Sequence, residues 1–264
     1  MRRLLIILFL MVFTLAEAGA TGSASASGGA AQASRFKPEQ IIAFAKQVEK
    51  ALAARRARVA ILARMGRPLS EMPPGMHFTH VAFAVYSEIT TKDGRKVPGY
   101  AIHNLYQQSD RPDTSELVMD FPVDFFADVA ELEAGILFPS ENLQQRLMQR
   151  IGTPEYRALH DPHYSVIANP YTEGRQNCTE FVLDVLHAAI YNTSDIKTIK
   201  AAEKRYFEAQ SVEVNPFKLL LGAMFSQEVS TVDHPGAPVT ATFEKIGAFL
   251  QKYDQGAEIV TLRP

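Results

Sequence analysis

The chain has one cysteine, Cys178, behind an N-terminus that reads as an export signal, and the two together restrict how it can be held folded. Arg2 and Arg3 give a positive start, residues 4–15 an apolar stretch, and Ala16-Glu17-Ala18 or Ala18-Gly19-Ala20 a small-residue cleavage site. A spanning helix takes about 20 residues, and no apolar run in the chain is that long. The expectation is a signal peptide over 1–20 and a periplasmic or secreted mature protein with no transmembrane segment after cleavage. A single thiol cannot close an internal disulfide, so burial of apolar surface has to carry the fold. At 47% apolar residues in a chain of 264, a substantial core is available.

Residues 21–35, rich in Gly, Ala and Ser, read as a flexible linker before a single domain over 36–264. Pro38 suits a helix start, and Ile41, Ile42, Ala45, Val48 and Leu52 recur at helical spacing through about Arg56. Residues 58–65 read as a strand. From Phe78 to Tyr86, Val81, Phe83 and Val85 alternate with His80 and small residues, and a matching run at 100–106 follows the Asp93-Gly94 turn signal. A hairpin is expected there. If residues 80 and 103 are cross-strand partners, His80 and His103 share one face.

Further strands are expected near 117–121 and 133–138, then a helix capped by Ser140 and running to Ile151. After the cysteine helix, 196–210, 216–225 and 243–253 read as helices and 259–262 as a last strand. These later elements are expected to cover or narrow a cleft, and the order of helices and strands indicates an α+β class. Lys and Arg number 27 against 29 Asp and Glu, which removes the electrostatic case for a nucleic-acid partner or an anionic membrane surface.

The most informative segment is Gln176-Asn177-Cys178-Thr179-Glu180-Phe181-Val182. Asn177 is a favourable N-cap, Glu180 suits the first turn, and Phe181, Val182, Val185, Leu186 and Ala189 form a buried face. Cys178 therefore falls in the first helical turn, where the helix N-terminus and a nearby histidine lower a thiol pKa from about 8.5 to roughly 3.5–7.5. His80, at the start of a strand, is the candidate base. An inert buried cysteine is the competing reading. The remaining histidines, His77, His160, His163, His187 and His234, read as structural or solvated. No paired metal-ligand motif stands out beyond His77 and His80, and no phosphate-binding glycine loop is present, so neither metal nor cofactor is expected.

Phe78-Thr79-His80-Val81-Ala82-Phe83, followed far downstream by Asn177-Cys178-Thr179-Glu180-Phe181-Val182, resembles the circularly permuted branch of the NlpC-type papain-like superfamily, in which the histidine strand precedes the cysteine helix. The pieces Ile102-His103-Asn104-Leu105, Phe125-Phe126, residues 136–139, residues 164–170 and Gln176-Asn177-Cys178 are similar to a secreted bacterial family, domain of unknown function 2145. The resemblance implies an α+β papain-like domain with an antiparallel sheet, a helix carrying the cysteine at its N-terminus, and extra helices. It also implies thiol acyl-transfer chemistry, with Cys178 as nucleophile, His80 as base and acid, and His103 (Asn104 as fallback) orienting the imidazole. The Cys178 backbone N–H, with Gln176 or Tyr171 as second donor, would form the oxyanion hole. The expected function is an exported hydrolase or acyltransferase acting on an amide, ester or thioester of a cell-envelope peptide, glycopeptide or acyl lipid. The alternative is a catalytically silent envelope protein that binds a peptide, glycan or lipid in the same cleft.

Overall fold

The computed structural model describes residues 34–213 and 230–264. The signal peptide, nearly all of the linker and the helix expected at 216–225 lie outside them. Helix α1 (Pro38–Ala54) starts on its proline and buries Ile41, Phe44, Ala45, Val48 and Leu52, a helical stripe. Strand β1 (Val59–Met65) is buried along its whole length, the pattern of a strand covered on both faces. A hairpin of β2 (His80–Thr90) and β3 (Lys96–Gln107) follows, then β4 (Ser115–Asp120), a short α2 (Pro122–Phe125) and β5 (Glu131–Phe138). With β8 (Glu258–Leu262) these strands form one sheet in the order β4-β3-β2-β1-β5-β8, antiparallel at every pairing. The chain thus has the mixed α+β architecture with an antiparallel sheet and additional helices.

Strand alternation divides the core in two. Ala60, Leu62, Ala82, Ala84, Tyr100 and Ile102 pack with α1, Phe125 and Phe126 on one face. Ala63, Val81, Phe83, Val85 and Leu105 pack on the other. That second face is covered by α3 (Glu141–Arg150), α5 (Cys178–Tyr191), α6 (Ile196–Tyr206) and α7 (Phe243–Tyr253). A single-turn α4 (Pro154–Ala158) and a two-residue ladder of β6 (Gln210–Ser211) with β7 (Val239–Thr240) complete the described elements. Ser140 caps α3 by accepting from the Leu143 N–H, and α6 stops at Tyr206, short of residue 210. Among the described residues, no helix is long and apolar enough to cross a membrane.

The hairpin register corrects one expectation. His103 pairs with Phe83, and the β1 partner of His80 is Arg64. Successive strand residues point to opposite faces, so His80 and His103 stand on opposite sides of the sheet. His80 shares the α1 face with Arg64 and Asn104. His103 lies on the α5 face with its ring 6.2 Å from that of Tyr156.

Candidate functional site

Helix α5 opens at Cys178 for the reason its sequence suggests. Asn177 has extended backbone, and its side-chain oxygen accepts from the Thr179 and Glu180 N–H groups, at 3.0 and 2.9 Å. Asn177 Nδ2 donates to the Val166 carbonyl and to Thr240 Oγ1, which ties the cap to two neighbouring segments. Cys178 is 5% exposed, with Thr179 Oγ1 3.8 Å from its sulfur. Burial pushes the thiol above its ordinary pKa; the Val81 backbone, Thr179 and the Arg64 charge pull the other way without overcoming it. The lowered pKa expected of a helix start is therefore not what this thiol has, because desolvation outweighs those favourable terms.

His80, also 5% exposed, heads β2 among groups that fix its ring. The imidazole stacks on Tyr106 with centroids 4.9 Å apart and planes 10° from parallel, and lies 5.6 Å from the Phe125 ring. Its Nε2 is 3.1 Å from Asn104 Oδ1. Asn104 Nδ2 donates to Asp120 Oδ1 at 2.8 Å and to the Ile102 carbonyl at 3.3 Å. With both amide hydrogens directed at acceptors, Oδ1 is left to accept, so His80 carries its proton on Nε2 and Nδ1 is the basic nitrogen. Tyr106 donates to Asp120 Oδ2 at 2.9 Å, so both oxygens of that carboxylate are held.

Arg64 completes this group. The residue is 2% exposed, and its guanidinium donates to the Phe125 carbonyl at 2.6 Å and stands over the Phe125 and Tyr106 rings at 5.2 and 5.7 Å. Its Nε has no hydrogen-bond partner among the described residues. Burial first, and the Arg64 charge second, push His80 down to about 3, against the hydrogen bond to Asn104. Burial raises Asp120 to about 6. At neutral pH the imidazole and the thiol are both uncharged.

Asn104 is the side chain hydrogen-bonded to the His80 ring, and among the described residues no hydrogen bond or ring contact joins His80 to His103. The two side chains named for the oxyanion hole are committed elsewhere. Gln176 accepts from the Asp161 N–H and donates to the Leu159 carbonyl and Asp184, while the Tyr171 hydroxyl donates to the Phe207 carbonyl and accepts from the Ala209 N–H. Among the described residues no hydrogen bond joins Cys178 to His80, and no group of three or more His, Cys, Asp or Glu side chains is arranged to hold a metal ion. Arg64, Tyr106 and Asp120 were not anticipated. Arg64 had a visible signal as the one charge in the apolar run Val59–Met65, and Tyr106 stands two residues after Asn104 on the same side of β3.

These features define an α+β protein in which a buried imidazole–amide pair is tied to a half-buried carboxylate and a lone thiol stands at the head of helix α5. The chain belongs to a family described as an uncharacterized protein conserved in bacteria (DUF2145), whose model matches residues 51–250. No curated protein and no solved structure matches it.

Proposed function

We propose that the chain is an exported thiol hydrolase or acyltransferase of the circularly permuted NlpC type, acting on an amide, ester or thioester of the cell envelope. The observation that supports this most is the His80–Asn104 hydrogen bond. It holds Nε2 as the donor and keeps the Nδ1 lone pair available as a base, beside a residue, Val81, whose backbone favours the charged form of the Cys178 sulfur. In the proposed reaction Nδ1 takes the thiol proton as the sulfur attacks the acyl carbon, and the first N–H of α5 stabilises the developing oxyanion. The leaving amine, alcohol or thiol takes the proton from His80, and the thioester is released to water or a second acceptor with the same exchange of protons.

The second reading is the catalytically silent envelope protein, and the described conformation, taken by itself, favours it. Cys178 and His80 are both buried and uncharged, strand alternation turns His80 toward the α1 face, and no hydrogen bond links the two. Catalysis requires an opening that brings the imidazole to the sulfur; binding does not. The pH dependence of iodoacetamide alkylation of Cys178, in the folded chain and in His80→Ala, separates the two. Rapid alkylation below pH 7 that is lost with His80 supports the enzyme. Slow alkylation that follows an ordinary thiol titration, or none before unfolding, supports the silent protein.

A further inference from the structure

Three helices of this protein end on a tyrosine, and the three tyrosines meet. Tyr191 is the last residue of α5, Tyr206 of α6 and Tyr253 of α7, and all three line one cavity of about 350 Å³ beside the start of α3. The cavity lies at the far end of the helix that Cys178 opens, about 20 Å along its axis at 1.5 Å per residue, so it is separate from the thiol. We propose that it is a carbohydrate-binding site that takes a neutral pyranose, with the three tyrosines as its walls.

The ring geometry is that of a corner. Tyr206 and Tyr253 stand edge to face, 6.0 Å apart with planes at 76°, and Phe249 backs Tyr253 at 5.2 Å. Tyr191, Tyr206 and Tyr253 are 45%, 39% and 47% exposed, so ring surface is presented to whatever enters. Aromatic surface gathered around one concavity, rather than scattered singly, is the pattern of a binding site. Their hydroxyls differ from those of Tyr100, Tyr106 and Tyr171, each of which is spent on a hydrogen bond within the fold. Among the described residues, those of Tyr191, Tyr206 and Tyr253 have no such partner. The Tyr191 hydroxyl also feels the other two electrostatically, which places all three near one another.

Charge selects the ligand class. The Arg205 guanidinium lies 5.5 Å over the Tyr206 ring and the Lys252 ammonium 4.9 Å over that of Tyr253, so a ligand cation would meet a like charge beside each ring. An anion drawn by Arg146 would also meet the Asp254 carboxylate on the same cavity wall. A neutral molecule with an apolar face and polar edges meets neither objection. A pyranose has that shape: its C–H face stacks on tyrosine, while its hydroxyls are within the chemistry of free phenols, Asn142, Arg146 and Asp254 on the same wall. The volume falls at the small end of ligand pockets, roughly 300–1,000 Å³, which suits a mono- or disaccharide.

The test is titration of the full chain with cellobiose and with N,N′-diacetylchitobiose, followed by saturation-transfer NMR, beside Tyr206→Ala, Tyr253→Ala and the matching Tyr→Phe variants. Far-ultraviolet circular dichroism checks that each variant is folded. Saturable binding of at least one disaccharide is expected, weakened about tenfold or more by each Tyr→Ala change and less by Tyr→Phe, which keeps the stacking face. No saturable signal with either sugar up to about 10 mM, or binding that both alanine variants retain, overturns the proposal. So does preferential binding of tetramethylammonium or octanoate, which would assign the cavity to a cation or an apolar anion.

Discussion

His80 Nε2 lies 3.1 Å from Asn104 Oδ1, and that bond joins the first residue of β2 to the interior of β3 across the face that α1 and α2 cover. Asn104 passes the connection on to Asp120 on β4, so the pair is the middle of a relay rather than an isolated contact. Replacing Asn104 by Ala leaves the buried His80 Nε2 and one oxygen of the half-buried Asp120 without their partner. Such groups cost about 1–3 kcal/mol each, so urea unfolding of Asn104→Ala is expected at a clearly lower midpoint. His103→Ala, on the other face, is expected to leave the His80 ring signals in NMR unmoved. A shift of those signals in His103→Ala and none in Asn104→Ala would reverse the assignment of the orienting residue.

The same network makes stability depend on pH with a definite sign. His80 ionises at about 6.5 when unfolded and about 3 when folded. Between those values the unfolded chain binds a proton the folded one refuses, so this residue's contribution is intact above pH 6.5 and is lost as the pH falls toward 3. Asp120 works in the opposite direction: its folded pKa of about 6 lies above 3.8, so its contribution is present below 3.8 and lost as the pH rises through 6. The expectation for His80→Gln is a shallower loss of stability from pH 6.5 to 4 than in the parent chain, and for Asp120→Asn a steeper one. Denaturant titrations at several pH values measure both slopes, and an unchanged slope in His80→Gln would show that the imidazole is not held neutral.

How far the sequence carried can be judged from particular residues. Periodicity located α1, α3 and α7 because each buries one face, alternation located the β2–β3 hairpin, and Asn177 announced the start of α5, which is buried on every side over 178–189, through its capping chemistry. Register was not legible. Whether residue 80 faces residue 103 depends on how many residues the Thr91–Arg95 turn consumes, and a shift of one residue moves a side chain to the other face. The choice between His103 and Asn104 as the partner of His80, and the places of Arg64, Tyr106 and Asp120, depend on that register, so they were hidden with it. The thiol pKa was misjudged for a different reason, since helix position can be read from sequence and depth of burial cannot.

Lys200 supplies a third expected outcome. Its ammonium is buried between Glu180 Oε1 at 2.7 Å, Asp184 Oδ1 at 2.6 Å and Glu203 Oε2 at 3.2 Å, holding α6 against α5. Burial pushes the Glu180 and Glu203 carboxyls well up, with Lys200 opposing, so the cluster keeps protons that exposed carboxyls would lose. Lys200→Met leaves three buried acids without their cation and is expected to cost about 3–5 kcal/mol at pH 7. Part of that loss should return as the pH is lowered, because burial favours the protonated forms of Glu180 and Glu203. Glu203→Gln is expected to be near neutral. Equal, pH-independent losses in both variants would mean that packing of the side chains matters here and their charge does not.

Gly135 offers the sharpest test of how the helices of the α5 face seat on the sheet. It sits in β5 between Ala63 of β1 and Thr261 of β8. A Cβ at this position would lie 2.6 and 2.7 Å from Phe243 Cε1 and Cζ and 2.7 Å from Phe78 Cε2. The two rings meet edge to face with centroids 4.9 Å apart and leave no room between them for a methyl group. Phe243 is the first residue of α7, so a displaced ring pulls on the helix start that Thr242 caps. Gly135→Ala is expected to destabilise by about 1–3 kcal/mol, the range for overpacking a filled core. Shortening the half-buried partner, in Gly135→Ala with Phe78→Leu, should restore part of that loss, because the added methyl then takes space the ring has vacated. Additive losses in the double variant, measured by urea unfolding, would show that the two positions do not share one packing site.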